Sequence, residues 1–156
     1  MRSSDDFSTT STVLTPPTEC NTTASLWSDR GAIPWPGNTY RIIEKHTNRA
    51  ITLVNDLIVI KDIEDTAKIT NGYFGFQHPP SGRYMGHDGS KTLRAKATEL
   101  NDWEFFTPRQ HPEGGYQLLS PYCMWSQALM VLCVDEGRKT VVRRNHGTTL
   151  WEFIKV

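Results

Sequence analysis

Short runs of β-branched and aromatic residues, separated by polar turn residues, recur along the chain from Tyr40 onward. Two early examples are Ile51-Thr52-Leu53-Val54 and Leu57-Ile58-Val59-Ile60, with Asn55 and Asp56 between them. Runs of this kind predict strands of a few residues joined by tight turns. Since no stretch keeps a helical period of apolar positions, the pattern predicts a closed or sandwiched all-β body.

The predicted strands fall into three similar units. Each unit opens on a turn followed by a tyrosine, and a second strand ends at an aspartate 15 to 19 residues later. The three pairs are Tyr40 and Asp56, Tyr73 and Asp88, and Tyr116 and Asp135. A third and a fourth strand then complete each unit. Three units of four strands predict a β-trefoil, in which six strands close a barrel and six hairpin strands cap one end.

The fourth strand is plainest in two units, as Asp102-Trp103-Glu104-Phe105-Phe106 and Leu150-Trp151-Glu152-Phe153-Ile154. In the first unit only Ala67-Lys68-Ile69-Thr70 fits the same place. Because side chains alternate between the two faces of a strand, the Trp and Phe of each triplet should share one face, with Glu on the other. The residues expected in the core are therefore Trp103, Phe105, Trp151 and Phe153.

The first 38 residues differ in composition from the rest of the chain. Residues 1–26 are rich in serine and threonine and hold too few apolar groups to offset chain entropy, so we expect a disordered tail. Residues 27–38, which we call the docking strap, include Ile33-Pro34-Trp35-Pro36-Gly37, a stiff stretch that can lay a tryptophan ring on the folded body. A surface peptide that binds a partner is the alternative. The trefoil itself should span residues 39–156.

Five stretches carry a resemblance to a known group of β-trefoils. They are Ile33-Pro34-Trp35-Pro36-Gly37, Ile51-Thr52-Leu53, Ser81-Gly82-Arg83-Tyr84-Met85-Gly86-His87-Asp88, Pro112-Glu113-Gly114-Gly115-Tyr116 and Leu150-Trp151-Glu152-Phe153. These stretches resemble the fascin-like and actin-crosslinking-like β-trefoils, particularly small fungal proteins of that group. The resemblance implies actin only weakly, because crosslinking needs more than one site and a single trefoil is present. The Gln-x-Trp signature of ricin-type lectin trefoils is absent.

Charge and hydropathy argue against two classes of partner. Seventeen Lys and Arg against seventeen Asp and Glu give a formal net charge of zero, so no overall field attracts nucleic acid or an anionic membrane. The longest apolar run, residues 128–134, is far shorter than a membrane-spanning helix requires. We therefore expect neither nucleic acid nor a membrane among the partners.

The cysteines and the first residues suggest the cellular compartment. Cys20, Cys123 and Cys133 are odd in number and form no CxxC pair, which argues for reduced thiols and against a disulfide framework or zinc site. Polar residues such as Asp5 and Asp6 stand where a signal peptide has its apolar block. We expect a cytoplasmic protein without a cofactor.

Tyr84, His87 and Asp88 form the group most like that of an enzyme, because an imidazole beside a carboxylate can transfer protons. However, Asp56 and Asp135 stand at the same corner of the other units, which favours a turn in which the aspartate bonds local backbone. A non-catalytic role is therefore preferred. In the alternative, the chain is a small fungal, cofactor-independent cyclase or isomerase acting on a natural-product intermediate in an apolar pocket, with these three residues as acid or base.

Aromatic and basic residues supply the candidates for binding. The segment from Ser120 to Gln127 lengthens a hairpin and carries aromatic rings that can stack on a sugar or an apolar ligand; a lid that seals the barrel is the alternative. The third strands of units two and three are basic, which suits an acidic protein or a phosphorylated ligand, or is simply a solvated strand face. The first hypothesis is a non-catalytic module that binds a protein or carbohydrate. Its candidate contacts are Tyr84, His87, Arg94, Tyr122, Trp125, Arg143 and Arg144.

Overall fold

The computed structural model describes residues 30–63, 69–71, 75–123 and 125–156. The tail predicted over residues 1–26 and the start of the docking strap lie outside them. The described chain forms strands β1 (Thr39–Glu44), β2 (Arg49–Val54), β3 (Leu57–Asp62), β4 (Ile69–Asn71), β5 (Phe76–His78), β6 (Arg83–His87), β7 (Leu93–Ala97), β8 (Thr107–Gln110), β9 (Tyr116–Pro121), β10 (Leu129–Asp135), β11 (Thr140–Arg144) and β12 (Trp151–Lys155). A 3-10 turn covers Asp102–Glu104. No helix in this part of the chain has the length and apolar character to cross a membrane.

Six strands pair around a barrel. β1 pairs with β12 from Tyr40 to Glu44 and with β4 at its other edge, and β4 pairs in turn with β5. On the opposite side β8 pairs with β9, and β9 meets β12 where Tyr116 lies opposite Trp151. These six strands are the first and last strands of the three units.

The other six strands form the hairpins β2–β3, β6–β7 and β10–β11. Each hairpin contacts the next: Leu57 of β3 lies opposite Arg94 of β7, Thr92 bridges to Val142 of β11, and β11 pairs with β3. The hairpins therefore make a triangular cap on the barrel. A barrel of six strands with such a cap is a β-trefoil, so the fold predicted from the three sequence units is confirmed.

Aromatic side chains from all three units fill the barrel. Phe153 meets Tyr40 and Tyr116 edge to face, with ring centroids 5.6 and 5.5 Å apart, and stacks on Phe76 at 6.1 Å. Contacts of this geometry add to the free energy gained by burying the rings. Tyr73, the tyrosine predicted to open the second unit, lies outside the described residues, and Phe76 and Phe106 supply buried rings of that unit.

The two Trp-Glu-Phe triplets fold differently. In the third unit the triplet belongs to β12, and Trp151 is fully buried as expected. In the second unit Asp102–Glu104 is a 3-10 turn, and the strand begins only after it. A period of three residues replaces the strand period of two, so Glu104 is buried while Trp103 is 51% exposed. The expectation that Trp103 is a core residue is wrong, and Phe105 is only half-buried.

The described part of the docking strap contacts the barrel through its main chain and through the side chain of Arg30, which donates to Glu152 and to the carbonyl of Lys45. The amide of Ala32 donates to the carbonyl of Phe153 at 3.0 Å. The hydroxyl of Tyr40 accepts from the amide of Trp35 at 2.9 Å and donates to the carbonyl of Ile33 at 3.0 Å. The ring of Trp35 is nevertheless exposed. The expectation that this ring packs on the folded body is wrong, because the strap is held by backbone bonds, by Tyr40 and by the side chain of Arg30 instead.

Candidate functional site

His87 ends strand β6 beneath an exposed tryptophan. Its imidazole is 6% exposed and stacks on the indole of Trp103, with ring centroids 5.4 Å apart and an interplanar angle of 28°. The amide of Gly89 donates to His87 Nδ1 at 3.1 Å. Burial and the nearby charge of Arg143 lower the pKa of His87 to about 4, against a smaller opposing effect of Asp88. His87 is therefore neutral at physiological pH and is held as a packing partner of Trp103.

The turn that carries Trp103 is held rigidly against β6. Glu104 reaches back to accept the amide of Asn101 at 3.1 Å, and it is buried, which raises the pKa of its carboxyl. The turn packs directly on Gly86 of β6. A Cβ at this position would lie 2.6 Å from Glu104 Oε1 and 2.9 Å from the Trp103 carbonyl oxygen, which is too close for any larger residue without a shift. The indole is thus presented to solvent from a fixed backbone.

A cleft of about 330 Å³ opens beside this indole. It is lined by Ala97, Asn101, Asp102, Trp103 and Glu104. The cleft combines an aromatic surface with amide and carboxyl groups that can form hydrogen bonds. This combination suits a small ligand with both apolar and hydroxyl surfaces.

Arg143 connects the turn after β6 to the loop after β9. Its guanidinium donates to Ser120 Oγ at 3.3 Å, to the Pro121 carbonyl at 3.0 Å and to the Ser90 carbonyl at 3.3 Å. The side chain is 4% exposed, and burial lowers its pKa. Arg143 therefore links two loops through hydrogen bonds. Because its side chain is buried, little of the guanidinium is left for a ligand to contact.

The loop after β9 presents two aromatic side chains. Its ends are closed by the bond from the Tyr122 amide to the Ala128 carbonyl at 2.9 Å. Tyr122 is exposed, and Trp125 is 91% exposed. Because these rings face solvent, they do not seal the barrel, which argues against the lid alternative. Arg143, bonded to the base of this loop, interacts electrostatically with Tyr122.

The other predicted site residues are dispersed. Asp88 accepts the amide of Ser90 at 3.2 Å and forms an ion pair with Arg94 at 3.3 Å. Asp135 accepts the amide of Gly137 at 3.1 Å in the same way, as expected of turn aspartates. Since Arg94 is paired and Arg143 is buried, neither adds a free charge to the basic patch considered from the sequence. Tyr84 is half-buried in β6, and Arg144 is exposed at the end of β11.

Tyr84, His87 and Asp88, the residues considered as catalytic, do not line a common pocket in the described structure. His87 is buried beside Trp103, whereas Asp88, the next residue, is exposed in a turn. An interior cavity lined mainly by apolar residues measures about 10 Å³, which is about the space of a single water. In the described residues, no group of three or more His, Cys, Asp or Glu could hold a metal ion.

Sequence reasoning missed Trp103 as a surface residue because its triplet matches the core triplet of the third unit. A local signal was present: Asn101, followed three residues later by Glu104, is a pattern typical of a capped helical turn. That pattern predicts a turn at Asp102, and the tryptophan would then leave the strand face.

No protein-family model matches the chain, and no curated protein matches it. Solved structures do match. The chain is similar to a GlcNAcα1-4Gal releasing endo-β-galactosidase from Clostridium perfringens, with a TM-score of 0.64 and 16% identity over 76% of this chain and 32% of that one. It therefore spans about a third of the length of that galactosidase.

Two shorter proteins match along nearly their whole length. The BEL β-trefoil gives a TM-score of 0.62 at 16% identity, covering 80% of this chain and 97% of that one. SeviL bound to asialo-GM1 saccharide gives 0.56 at 12% identity, covering 76% and 96%. At such identities these similarities show the fold alone. This chain is a β-trefoil.

Proposed function

We propose that this chain is a non-catalytic saccharide-binding β-trefoil module. The observation that carries the proposal is the exposed indole of Trp103, fixed by its stack on His87 and lining a cleft with Asn101 and Asp102. A pyranose ring has an apolar C–H face and a rim of hydroxyl groups. An aromatic face beside amide and carboxylate groups is complementary to both.

Rigidity favours binding by such a cleft. In the turn that carries Trp103, the Glu104 carboxylate accepts the amide of Asn101, and the turn packs directly on Gly86. A ligand therefore need not order the indole when it binds, which lowers the entropic cost of association. Asp102, half-buried on the same turn, is available to accept hydrogen bonds from hydroxyl groups.

The loop of Tyr122 and Trp125 is a second contact area for a longer saccharide. It is joined to the Trp103 region through Arg143, which bonds the base of the loop and lies within electrostatic reach of His87. Exposed aromatic rings on a loop that a scaffold holds in place are common ligand contacts. Tyr122 and Trp125 thus remain candidate contacts.

Similar structures support a carbohydrate over the other partners considered from the sequence. One is described as an endo-β-galactosidase and another as a complex with a saccharide. No observation on the described surface favours actin, and Tyr84, His87 and Asp88 do not converge on a cavity that would suit the cyclase or isomerase alternative. A cytoplasmic location, a fascin-like ancestry and a fungal source remain predictions.

The test is a glycan array with the full chain, followed by calorimetric titration of the strongest saccharide. Trp103→Ala should lower affinity about tenfold, which corresponds to about 1.4 kcal/mol. Asp102→Ala should also weaken binding, and it leaves the stack on His87 intact. Trp35→Ala, which removes another exposed indole, is the matched control and should bind like the wild type.

Two outcomes would contradict the proposal. One is a folded protein that binds no saccharide on the array. The other is saccharide binding that survives both Trp103→Ala and Asp102→Ala, which would move the site elsewhere on the trefoil.

A further inference from the structure

A second cleft, of about 420 Å³, lies on the hairpin cap between strands β2 and β3 and the turn that joins β10 to β11. It is lined by Arg49, Val54, Val59, Ile60, Lys61, Asp62, Arg138 and Lys139. None of these residues lines the cleft beside Trp103. The two clefts are therefore separate features of the surface.

The second cleft is electropositive. Its lining contains four cations and one carboxylate, Asp62. Arg49 is paired with Glu136 at 2.7 Å, so even with Glu136 counted the cations exceed the carboxylates by two. Within the described residues, the side chains of Lys61, Arg138 and Lys139 form no ion pair. For a chain of zero net charge, this is a marked local imbalance.

The backbone of the turn that carries two of the cations is held in place by hydrogen bonds. The amide of Ile60 donates to the carbonyl of Lys139 at 3.0 Å, and Thr140 lies opposite Val59 across β11 and β3. The turn that carries Arg138 and Lys139 is thereby fixed against the strand that carries Lys61. Like charges held together in this way repel one another, and a bound anion would relieve that repulsion.

The cleft also has an apolar side. Val54 is exposed, and Val59 and Ile60 line the same space. A bare inorganic anion would gain nothing from these side chains. A ligand that carries its anionic group on an apolar scaffold would contact both the cations and the valines.

We infer that this cleft binds a ligand carrying a phosphate or sulfate ester on a partly apolar scaffold. In this proposal Lys61 of β3 and Arg138 of the turn contact the ester oxygens, and Val54 contacts the scaffold. The site is independent of the proposed saccharide cleft, and either can fail without the other.

The experiment records amide chemical shifts of the isotope-labelled full chain during titration with phenyl phosphate, phenyl sulfate, inorganic phosphate and phenol. Phenyl phosphate or phenyl sulfate should shift the amides of Ile60, Lys61 and Lys139 saturably, and phenol should not. Because the second ionisation of a phosphate ester lies near pH 6, its binding should strengthen from pH 5 to pH 7, whereas binding of the sulfate should not change. Inorganic phosphate that binds as well as the aryl esters would overturn the role assigned to the apolar side.

A matched pair of double variants tests the location. Lys61→Gln with Arg138→Gln should weaken the aryl ester about tenfold, a change of about 1.4 kcal/mol in binding free energy. Lys91→Gln with Arg144→Gln removes the same two charge types from exposed positions elsewhere and should change affinity less than about twofold. Equal loss in both variants, shifts scattered over all basic residues, or no saturable shift at all would overturn the inference.

Discussion

His87 and Trp103 are stacked with ring centroids 5.4 Å apart, although one side chain is buried and the other is half exposed. The contact links a titratable group in the interior to the indole that lines the proposed saccharide cleft. Protonation of His87 would place a buried charge beneath that indole. The stability of the fold and the position of Trp103 should therefore share a pH dependence.

Stability should fall as the pH is lowered from about 7 towards 4. The pKa of His87 is lowered to about 4 in the folded chain, against about 6.5 when unfolded, so the unfolded state takes up the proton first. The shift contributes stability above the unfolded pKa, and up to about 3 kcal/mol is lost as the pH falls through the interval. Urea unfolding at several pH values measures the change.

A non-titrating variant isolates this effect from that of the carboxylates. His87→Asn keeps an oxygen acceptor near the Gly89 amide but cannot take up a proton. The difference between wild type and variant should change with pH between 7 and 4. A difference that is constant over this interval would show that His87 titrates normally.

Arg143 and Arg144 provide a matched pair of adjacent arginines. Arg143→Met should lower the free energy of unfolding by about 2–4 kcal/mol, because it leaves the Ser90 and Pro121 carbonyls without a buried charged donor. Arg144→Met changes an exposed side chain and should stay within about 0.5 kcal/mol. Chemical denaturation compares the two. An Arg143→Met variant with the same free energy of unfolding as the wild type would contradict this structural role of Arg143.

Gly86→Ala tests how closely the turn of Trp103 packs on β6. The added methyl would lie 2.6 Å from Glu104 Oε1 and 2.9 Å from the Trp103 carbonyl oxygen, so the turn must move, at a cost of about 1–3 kcal/mol. At Gly137 the nearest atom would be at 3.5 Å, an ordinary contact, and Gly137→Ala should stay within about 1 kcal/mol. Thermal unfolding measures both. Saccharide affinity should fall only in Gly86→Ala.

The exposed aromatic loop can be tested without harm to the fold. Tyr122→Ala and Trp125→Ala should each change the free energy of unfolding by less than about 0.5 kcal/mol, because both rings face solvent. Affinity for a long saccharide should fall several-fold in each, while affinity for a monosaccharide stays unchanged. If both variants bind long saccharides with wild-type affinity, the loop does not contact the ligand and the site is limited to the Trp103 cleft.

The β-trefoil could be predicted because the sequence signals that indicate it are local and are repeated along the chain. Turn residues, β-branched runs and the spacing from tyrosine to aspartate recur three times. In the described residues Tyr40 and Tyr116 lie in β1 and β9 as predicted, whereas Tyr73 lies outside them. The assignment of Trp151 to the core was correct for the same reason. It failed for Trp103, where an identical triplet lies in a turn, since the capping by Glu104 outweighs the alternation of a strand.

The candidate sites depended on contacts between distant parts of the chain. Arg94 and Arg143 looked alike in sequence, yet Arg94 pairs with Asp88 on its own hairpin and Arg143 is buried between loops of two units. The electropositive cleft joins Lys61 to Arg138, residues far apart in sequence. No spacing along the chain indicates such a meeting.

Sequence alone determined that this protein is built of short strands in three units, because alternation and turn chemistry act over a few neighbouring residues. Only the tertiary structure decided which side chains face solvent together. The closure of the barrel and the triangle of hairpins bring distant residues together, and burial then sets their charge, as it does for His87. The indole of Trp103 became a surface feature because its triplet folds as a 3-10 turn, which places Glu104 in the interior and Trp103 at the surface.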